Sequence, residues 1–240
     1  MQPYSPKLLL TRPKVAAERF AELFRARFGA DWPVVISPLM ATDWVAGWPN
    51  LRGATGVIFT SETAVRGFAR EFLRRDIPAY CVGPRTAEAA RGQGFVVHTG
   101  PGDALGLAAL IAETAGRGPL LYPHGREIAR DIEKPLNSAG IVTISFVAYQ
   151  QRAIDLTGEA RQVLLSREPV LVPLFSARSA TLFVKAAEGH RCRLLIAAIS
   201  HEVGQVARGL DPEGLKVAQH PQGAAMVEAL DDLANSGGLG

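Results

Sequence analysis

The sequence predicts an α/β protein of two lobes, each a parallel sheet covered by helices. Three observations carry that expectation. Short apolar runs rich in β-branched residues alternate with amphipathic stretches from Lys7-Leu8-Leu9-Leu10 to Lys216-Val217-Ala218, as in parallel strands joined by crossover helices. One such unit recurs: Gly56 to Val65 is an apolar run that stops on Thr60 and Ser61 and turns into a helical pattern, and Val170 to Ala180 repeats it. Phe175 follows Phe59 by 116 residues, and Ile199 follows Val82 by 117. Two stretches interrupt the pattern, Pro38 to Arg52 and Gln150 to Arg152, and read as crossings between the lobes.

Composition agrees with two lobes. A chain of 240 residues with 48% hydrophobic content can fill one large core or two domains of about 100 to 120 residues, and the repeat favours two. Lys plus Arg number 26 against 23 Asp plus Glu, a formal charge of +3. With no basic run, no nucleic-acid partner is expected. Most cations are Arg, whose planar fork suits carboxylates; a coding bias that also raises Ala and Gly explains them equally well.

Met1 to Lys7 carries no basic region followed by a long apolar core, and no apolar stretch reaches the roughly 18 residues a membrane span needs. A cytoplasmic protein without a membrane partner is expected. Cys81 and Cys192 sit in or beside apolar runs with no Cys or His at metal-ligand spacing, as two reduced core thiols would.

Taken in order, Lys7 to Leu10 reads as a strand and Val15 to Phe28 as a helix burying Ala16, Phe20, Leu23, Phe24 and Phe28. Gly29 stops that helix, and Trp32 to Ser37 is the next strand. Beyond the first crossing, strands are expected at Val57 to Thr60, Ala79 to Val82, Val96 to His98, Leu120 to Tyr122 and Val142 to Ala148. Helices separate them at about Thr63 to Arg74, Arg85 to Arg91, Ala104 to Ala115 and Ile128 to Ala139. The last part reads as a helix near Thr157 to Ser166, strands at Val170 to Phe175, Leu194 to Ile199 and Lys216 to Ala218, intervening helices, and a final helix from Gln222 to Ala234. Asn235 to Gly240 is expected to be a disordered tail.

Two leading strands and one helix cannot make a useful sheet before the first crossing, so they need the C-terminal strands. The first lobe is therefore expected to be discontinuous, residues 1–37 plus 153–240, the second to span 43–148, and 38–42 and 149–152 to be linkers. Paired linkers imply a hinge, and a hinge implies a cleft.

Several devices are missing. Gly100-Pro101-Gly102-Asp103-Ala104-Leu105-Gly106 follows a strand but lacks G-x-G-x-x-G spacing, and Pro101 removes a donor, so it reads as a turn with Asp103 as helix cap. There is no phosphate-binding Walker loop and no G-x-S-x-G elbow. His98, His124, His190, His201 and His220 are scattered, read as loop or surface residues, and imply no metal site.

What remains are hydroxyls and arginines in loops after strands: Thr11 and Arg12, Thr60 and Ser61, Arg85 and Thr86, Ser176 and Arg178. Singly each is more simply a helix cap than a ligand. Together they stand at the carboxyl ends of parallel strands, where ligands of open α/β sheets bind, and a capped helix start still has N–H groups to donate.

The order of these pieces resembles the uroporphyrinogen-III synthase family. The resemblance runs through Leu10-Thr11-Arg12-Pro13, Ile58-Phe59-Thr60-Ser61 with Ala64-Val65, Val82-Gly83 with Thr86-Ala87, the Gly125 to Gly140 unit, Tyr149 after a strand, Phe175-Ser176 and Ile199. It implies two flavodoxin-like parallel-sheet lobes, the first discontinuous, joined by a two-strand linker. It also implies a cofactor-free hydro-lyase acting on hydroxymethylbilane, a linear tetrapyrrole bearing an acetate and a propionate on every ring. Loss of water leaves an electrophilic azafulvene; the distal ring attacks through its substituted carbon, and the spiro intermediate recloses with that ring inverted.

By that resemblance Tyr149 assists departure of the hydroxyl, or else is a linker aromatic packed on a lobe. Thr60, Ser61, Thr86 and Ser176 match family binding positions, with Thr63, Arg12, Arg178 and Ser200 beside them. Where the family usually carries Gly and Thr after the later strand, this chain has Ser200 and Val203, so a hydroxyl contact there is missing or supplied by Ser200. A monomer is implied, in at most transient contact with the enzyme that supplies the substrate. The competing reading is a non-catalytic two-lobed protein that closes on an anionic small molecule.

Overall fold

The computed structural model describes residues 6–50, 52–116, 118–128 and 131–236. Its elements are β1 (Lys7–Leu10), α1 (Lys14–Phe28), β2 (Val34–Ile36), β3 (Met40–Trp44), β4 (Gly56–Phe59), α2 (Glu62–Glu71), β5 (Ala79–Cys81), α3 (Pro84–Gly92), β6 (Val97–Thr99), α4 (Ala104–Thr114) and β7 (Leu120–Gly125). The chain continues with α5 (Glu133–Ser138), β8 (Thr143–Ala153), α6 (Gly158–Leu165), β9 (Pro169–Leu174), α7 (Ala177–Ala186), β10 (Arg193–Ala198), α8 (His201–Ala207), β11 (Gly214–Val217) and α9 (Gly223–Ser236).

Two sheets result, in the orders β11-β10-β9-β1-β2 and β3-β8-β7-β4-β5-β6. One unit holds the residues up to Ala41 and from Arg152 onward; the other is Thr42–Gln151. Every ladder of the first sheet is parallel, as are those joining β4 to β8 in the second. Matched from one edge, the first sheet corresponds strand for strand to β6-β5-β4-β7-β8. That match accounts for the repeat offset: β9 takes the place of β4 and β10 that of β5, while β1 and β2, at the start of the chain, do the work of β7 and β8. Two doubly wound α/β units of the flavodoxin-like kind follow from it.

Side chains alternate across each sheet as strand geometry demands. In the first, Leu9, Val170, Val172 and Ile196 pack on one side with Ala160, Phe183 and Val203 of the covering helices, and Leu8, Leu10, Leu171 and Leu195 pack on the other with Phe20, Phe24, Met226 and Leu230. In the second, Val57, Phe59 and Leu121 meet Val65, Phe68 and Ala87, whereas Ile58, Leu120 and Tyr122 meet Leu107, Ile111 and Leu136. Leu8, Leu9, Leu10, Val57, Ile58 and Phe59 are all fully buried, each worth about 1.5–3 kcal/mol by transfer. Burial on both faces is why these runs are continuously apolar.

Some expectations need correction. The first crossing is not wholly irregular, because Met40–Trp44 forms edge strand β3. Val45 N–H donates to Ala148 C=O and Ile154 N–H to Leu39 C=O, so β3 runs antiparallel to β8. Gln150-Gln151-Arg152 is not a break either: it continues β8 to Ala153, its polar side chains tolerated beside an edge. Helix α5 starts five residues later than expected, at Glu133. Helix α1 buries Ala17, Phe20, Ala21 and Phe24 and leaves Leu23 exposed, so its stripe is rotated by part of a turn. Asn235 and Ser236 complete α9; residues 237–240 of the expected tail, and 1–5 of the N-terminal stretch, lie outside the described residues.

Each sheet has a switch point where the chain's crossovers change direction, β1 beside β9 in the first and β4 beside β7 in the second. Each of these pairs contains a proline. The β4–β7 register pairs Gly56 with Leu120 and Val57 with Leu121, and Pro123 comes two residues further on. The β1–β9 register pairs Lys7 with Val170 and Leu8 with Leu171, and Pro173 comes two residues further on. Neither proline has an N–H to extend its ladder.

Candidate functional site

In the second unit a pocket of about 450 Å³ opens at the carboxyl end of the sheet, over the β4–β7 switch point. Thr60 and Ser61 come from the end of β4, Val82 from the end of β5, Asp103 from the start of α4, Tyr122, His124 and Gly125 from β7, and Tyr149 from β8. The fold thus brings Tyr149 to Thr60 and Ser61, which are far from it in sequence.

Ser61 caps α2: Ala64 N–H donates to its Oγ at 3.0 Å. The same hydroxyl lies 3.0 Å from Tyr149 Oη, and Thr60 Oγ1 lies 3.5 Å from Tyr122 Oη. The Tyr149 ring rests on Gly125, where an added Cβ would sit 2.9 Å from ring carbons Cε2 and Cζ; only glycine leaves that space. A register shift at His124 and Gly125 brings Gly125 opposite Tyr149, and Arg126 N–H donates to Tyr149 C=O at 2.9 Å. Trp44 of β3 meets the ring edge-on at 6.2 Å. Burial pushes the Tyr122 phenol above its ordinary pKa, and the Thr60 hydrogen bond offsets part of the shift.

The other unit sets its groups at the carboxyl end of its own sheet. The Arg12 guanidinium, after β1, lies over the Phe175 ring, after β9, at 3.8 Å. This contact fixes the cation above the switch point and contributes about 0.5–1 kcal/mol or more. Ser176 caps α7, accepting Ser179 N–H at 3.1 Å, and Arg178 lies half-buried in the first turn of that helix. Ser200 caps α8 by accepting Val203 N–H at 3.4 Å. Val203 itself is core, 2% exposed.

A family model described as uroporphyrinogen-III synthase HemD matches residues 18–228. The chain belongs to the uroporphyrinogen-III synthase family. Among solved structures, a uroporphyrinogen-III synthetase from Helicobacter pylori is 17% identical, with 96% of this chain and 99% of that one covered at a TM-score of 0.65, a likeness of fold. A mutant uroporphyrinogen III synthase from Thermus thermophilus is 15% identical over 96% and 99% of the two chains, with a TM-score of 0.48. No curated protein matches the chain.

The structure distributes the family-matched residues unevenly. Thr60, Ser61 and Tyr149 share the pocket; Thr63 and Thr86 are not among its lining residues. Thr63 Oγ1 accepts a hydrogen bond from Arg66 at 3.2 Å within α2. Thr86 is 5% exposed, in the first turn of α3, which starts from Gly83 with Pro84 following and has no side-chain cap; Thr86 is therefore not a cap.

Tyr122 and His124 carried no functional expectation in the sequence, and Gly125 only that of opening a family-matched unit. Their signal was available: in Tyr122-Pro123-His124-Gly125 the two polar rings alternate at the end of an apolar strand. His124 is no surface residue but 9% exposed within β7. The Gly100 to Gly106 turn does cap α4 through Asp103, whose Oδ1 accepts Gly106 N–H at 2.9 Å, and it also forms one pocket wall. Among the described residues no cluster of His, Cys, Asp and Glu could hold a metal, and no helix is long and apolar enough to cross a membrane. Cys81 and Cys192 are buried free thiols.

Proposed function

We propose that this chain converts hydroxymethylbilane to uroporphyrinogen III, losing water and inverting the terminal pyrrole ring. The observation that carries the reading is the Tyr149 phenol, held beside the Ser61 cap and over Gly125 in a switch-point pocket. A phenol so placed can donate to a departing hydroxyl, and a positioned proton donor is worth about a hundredfold or more in rate. With Ala64 N–H on its oxygen, Ser61 can still donate its own proton to Tyr149 Oη, leaving the phenol proton for the substrate.

Carboxylates of the substrate would be held by hydroxyls and free N–H groups at helix starts. Thr60 and Ser61 serve in the pocket, with Thr63 and Thr86 at the starts of α2 and α3. Ser176, Arg178 and Ser200 serve at the starts of α7 and α8, and Arg12 supplies a fixed cation. The protein's contribution is then mainly to hold the chain so that inverted closure is the nearest outcome. Dehydration and ring closure exchange no electrons with a redox partner, so we expect turnover without added cofactor and no inhibition by chelators.

Incubation with enzymatically made hydroxymethylbilane, followed by separation of the product isomers, tests the reading. Type III product, with binding that weakens as salt rises, is expected. Only the type I isomer, at the rate seen without protein, would overturn it and leave a non-catalytic binder of anionic small molecules.

A further inference from the structure

His124 brings to the pocket a base that the proposed chemistry has not yet used. Its Nδ1 lies 2.8 Å from the Gly125 carbonyl oxygen. A carbonyl only accepts, so Nδ1 carries the proton and the neutral ring keeps its lone pair on Nε2. Nε2 has no hydrogen-bond partner among the described residues, although the side chain is 9% exposed and lines the pocket. Nε2 keeps contact with solvent at the pocket wall, so a ligand or water can take up its lone pair. The ring packs at 5.0 Å against Tyr122. The titratable groups sharing the pocket are Tyr122 on the same strand, Glu127 in the loop that follows, Tyr149 on β8 and Asp103 before α4.

We propose that His124 Nε2 accepts the pyrrole N–H proton of the substrate ring that loses its hydroxyl. The inference rests on the proposed reaction and names the base in it. As the hydroxymethyl C–O bond breaks, the oxygen leaves as water with the Tyr149 phenol proton. The ring N–H bond gives its proton to Nε2 and its electrons to the ring, leaving neutral azafulvene, an imidazolium and a phenolate. When the distal ring attacks, the imidazolium returns a proton to the first ring's nitrogen and the phenolate takes the one released by the attacking ring. Both side chains finish as they began.

The test is His124→Gln, which keeps a hydrogen-bond acceptor but cannot take up a proton, measured in single turnovers with hydroxymethylbilane. In H124Q the rate should drop on the order of a hundredfold, with substrate affinity retained and type III still the product. A variant with unchanged rate overturns the proposal, as does one whose loss of rate is matched by its loss of affinity. Should H124Q not fold, ¹⁵N resonances of the imidazole in the unsubstituted protein decide: the Nδ1–H tautomer is required, and the Nε2–H tautomer overturns the proposal. Type I product alone from the unsubstituted protein overturns the reaction itself, and is recognised without any variant.

Discussion

Tyr149 Oη and Ser61 Oγ lie 3.0 Å apart, and Ser61 Oγ at the same time accepts the Ala64 N–H that opens α2. The phenol is therefore tied to a helix start, and the rotation of its ring is set by a cap. Tyr149→Phe removes only the hydroxyl, so turnover should fall on the order of a hundredfold while the unfolding midpoint barely moves. Unchanged turnover would remove the proton-donor role.

Ser61→Ala should act twice. Loss of the cap costs about 1 kcal/mol of stability, and Tyr149 loses the partner that orients it. Measured together, denaturation and turnover should both decline; a decline in stability alone would mean that Tyr149 is held by its other neighbours.

Gly125→Ala places a methyl group 2.9 Å from the Tyr149 ring carbons. The ring must shift, at about 1–3 kcal/mol for overpacking, so activity should fall about as far as in Tyr149→Phe. The double variant should be little worse than either single one, because both remove one contribution. Additive losses in the cycle would show that Gly125 acts elsewhere.

Thr86→Ala separates two roles that were confounded in the sequence. Since α3 starts from Gly83 without a side-chain cap, no capping hydrogen bond is lost, and only the buried methyl of Thr86 goes with the hydroxyl, at about 1 kcal/mol of stability. Weaker substrate binding beyond that modest loss of stability, measured by titration and denaturation, is the expected pair of results; unchanged binding would remove Thr86 from the substrate contacts.

Alkaline pH should destabilise the fold. Burial pushes the Tyr122 phenol above its ordinary 10.0 and the Cys81 thiol from 9.0 up to about 12. As pH rises past the ordinary values, the unfolded chain releases these protons while the folded chain keeps them. Their contribution is thus complete below pH 9 and is lost as pH climbs toward the folded values. Denaturant midpoints should decline through that window, and less steeply in Tyr122→Phe. Cys192, pushed up to about 11, and Cys81 should both resist alkylation at pH 8 until denaturant is added.

The doubly wound architecture was legible because its strands are buried on both faces and read as unbroken apolar runs, as in Val57-Ile58-Phe59. Strand β3 was not, since Met40-Ala41-Thr42-Asp43-Trp44 is partly exposed at every position and an edge imposes no alternation. Thr60 and Ser61 were legible as hydroxyls after a strand; Tyr149, expected just after a strand, lies within β8, which runs on to Ala153. Tyr122 and His124 were hidden because a polar ring inside an apolar strand looks like core until the end of the sheet is located, and sequence spacing does not reveal that a neighbouring ladder has stopped. Gly125 was hidden because its role depends on a ring 24 residues away in sequence.

The prolines at the two switch points have a thermodynamic consequence. A gap that opens between strands on binding would require ladder hydrogen bonds to be broken, and that cost would be subtracted from affinity. Pro123 and Pro173 stay in register with Phe146 and Ala197 on their other side, but stand two residues past the last pairs of the β4–β7 and β1–β9 ladders, so neither has an N–H to pair across its switch point. In the second unit the pocket over the β4–β7 switch point is preorganised in part by covalent structure, so a ligand meets ground that the fold has already set aside.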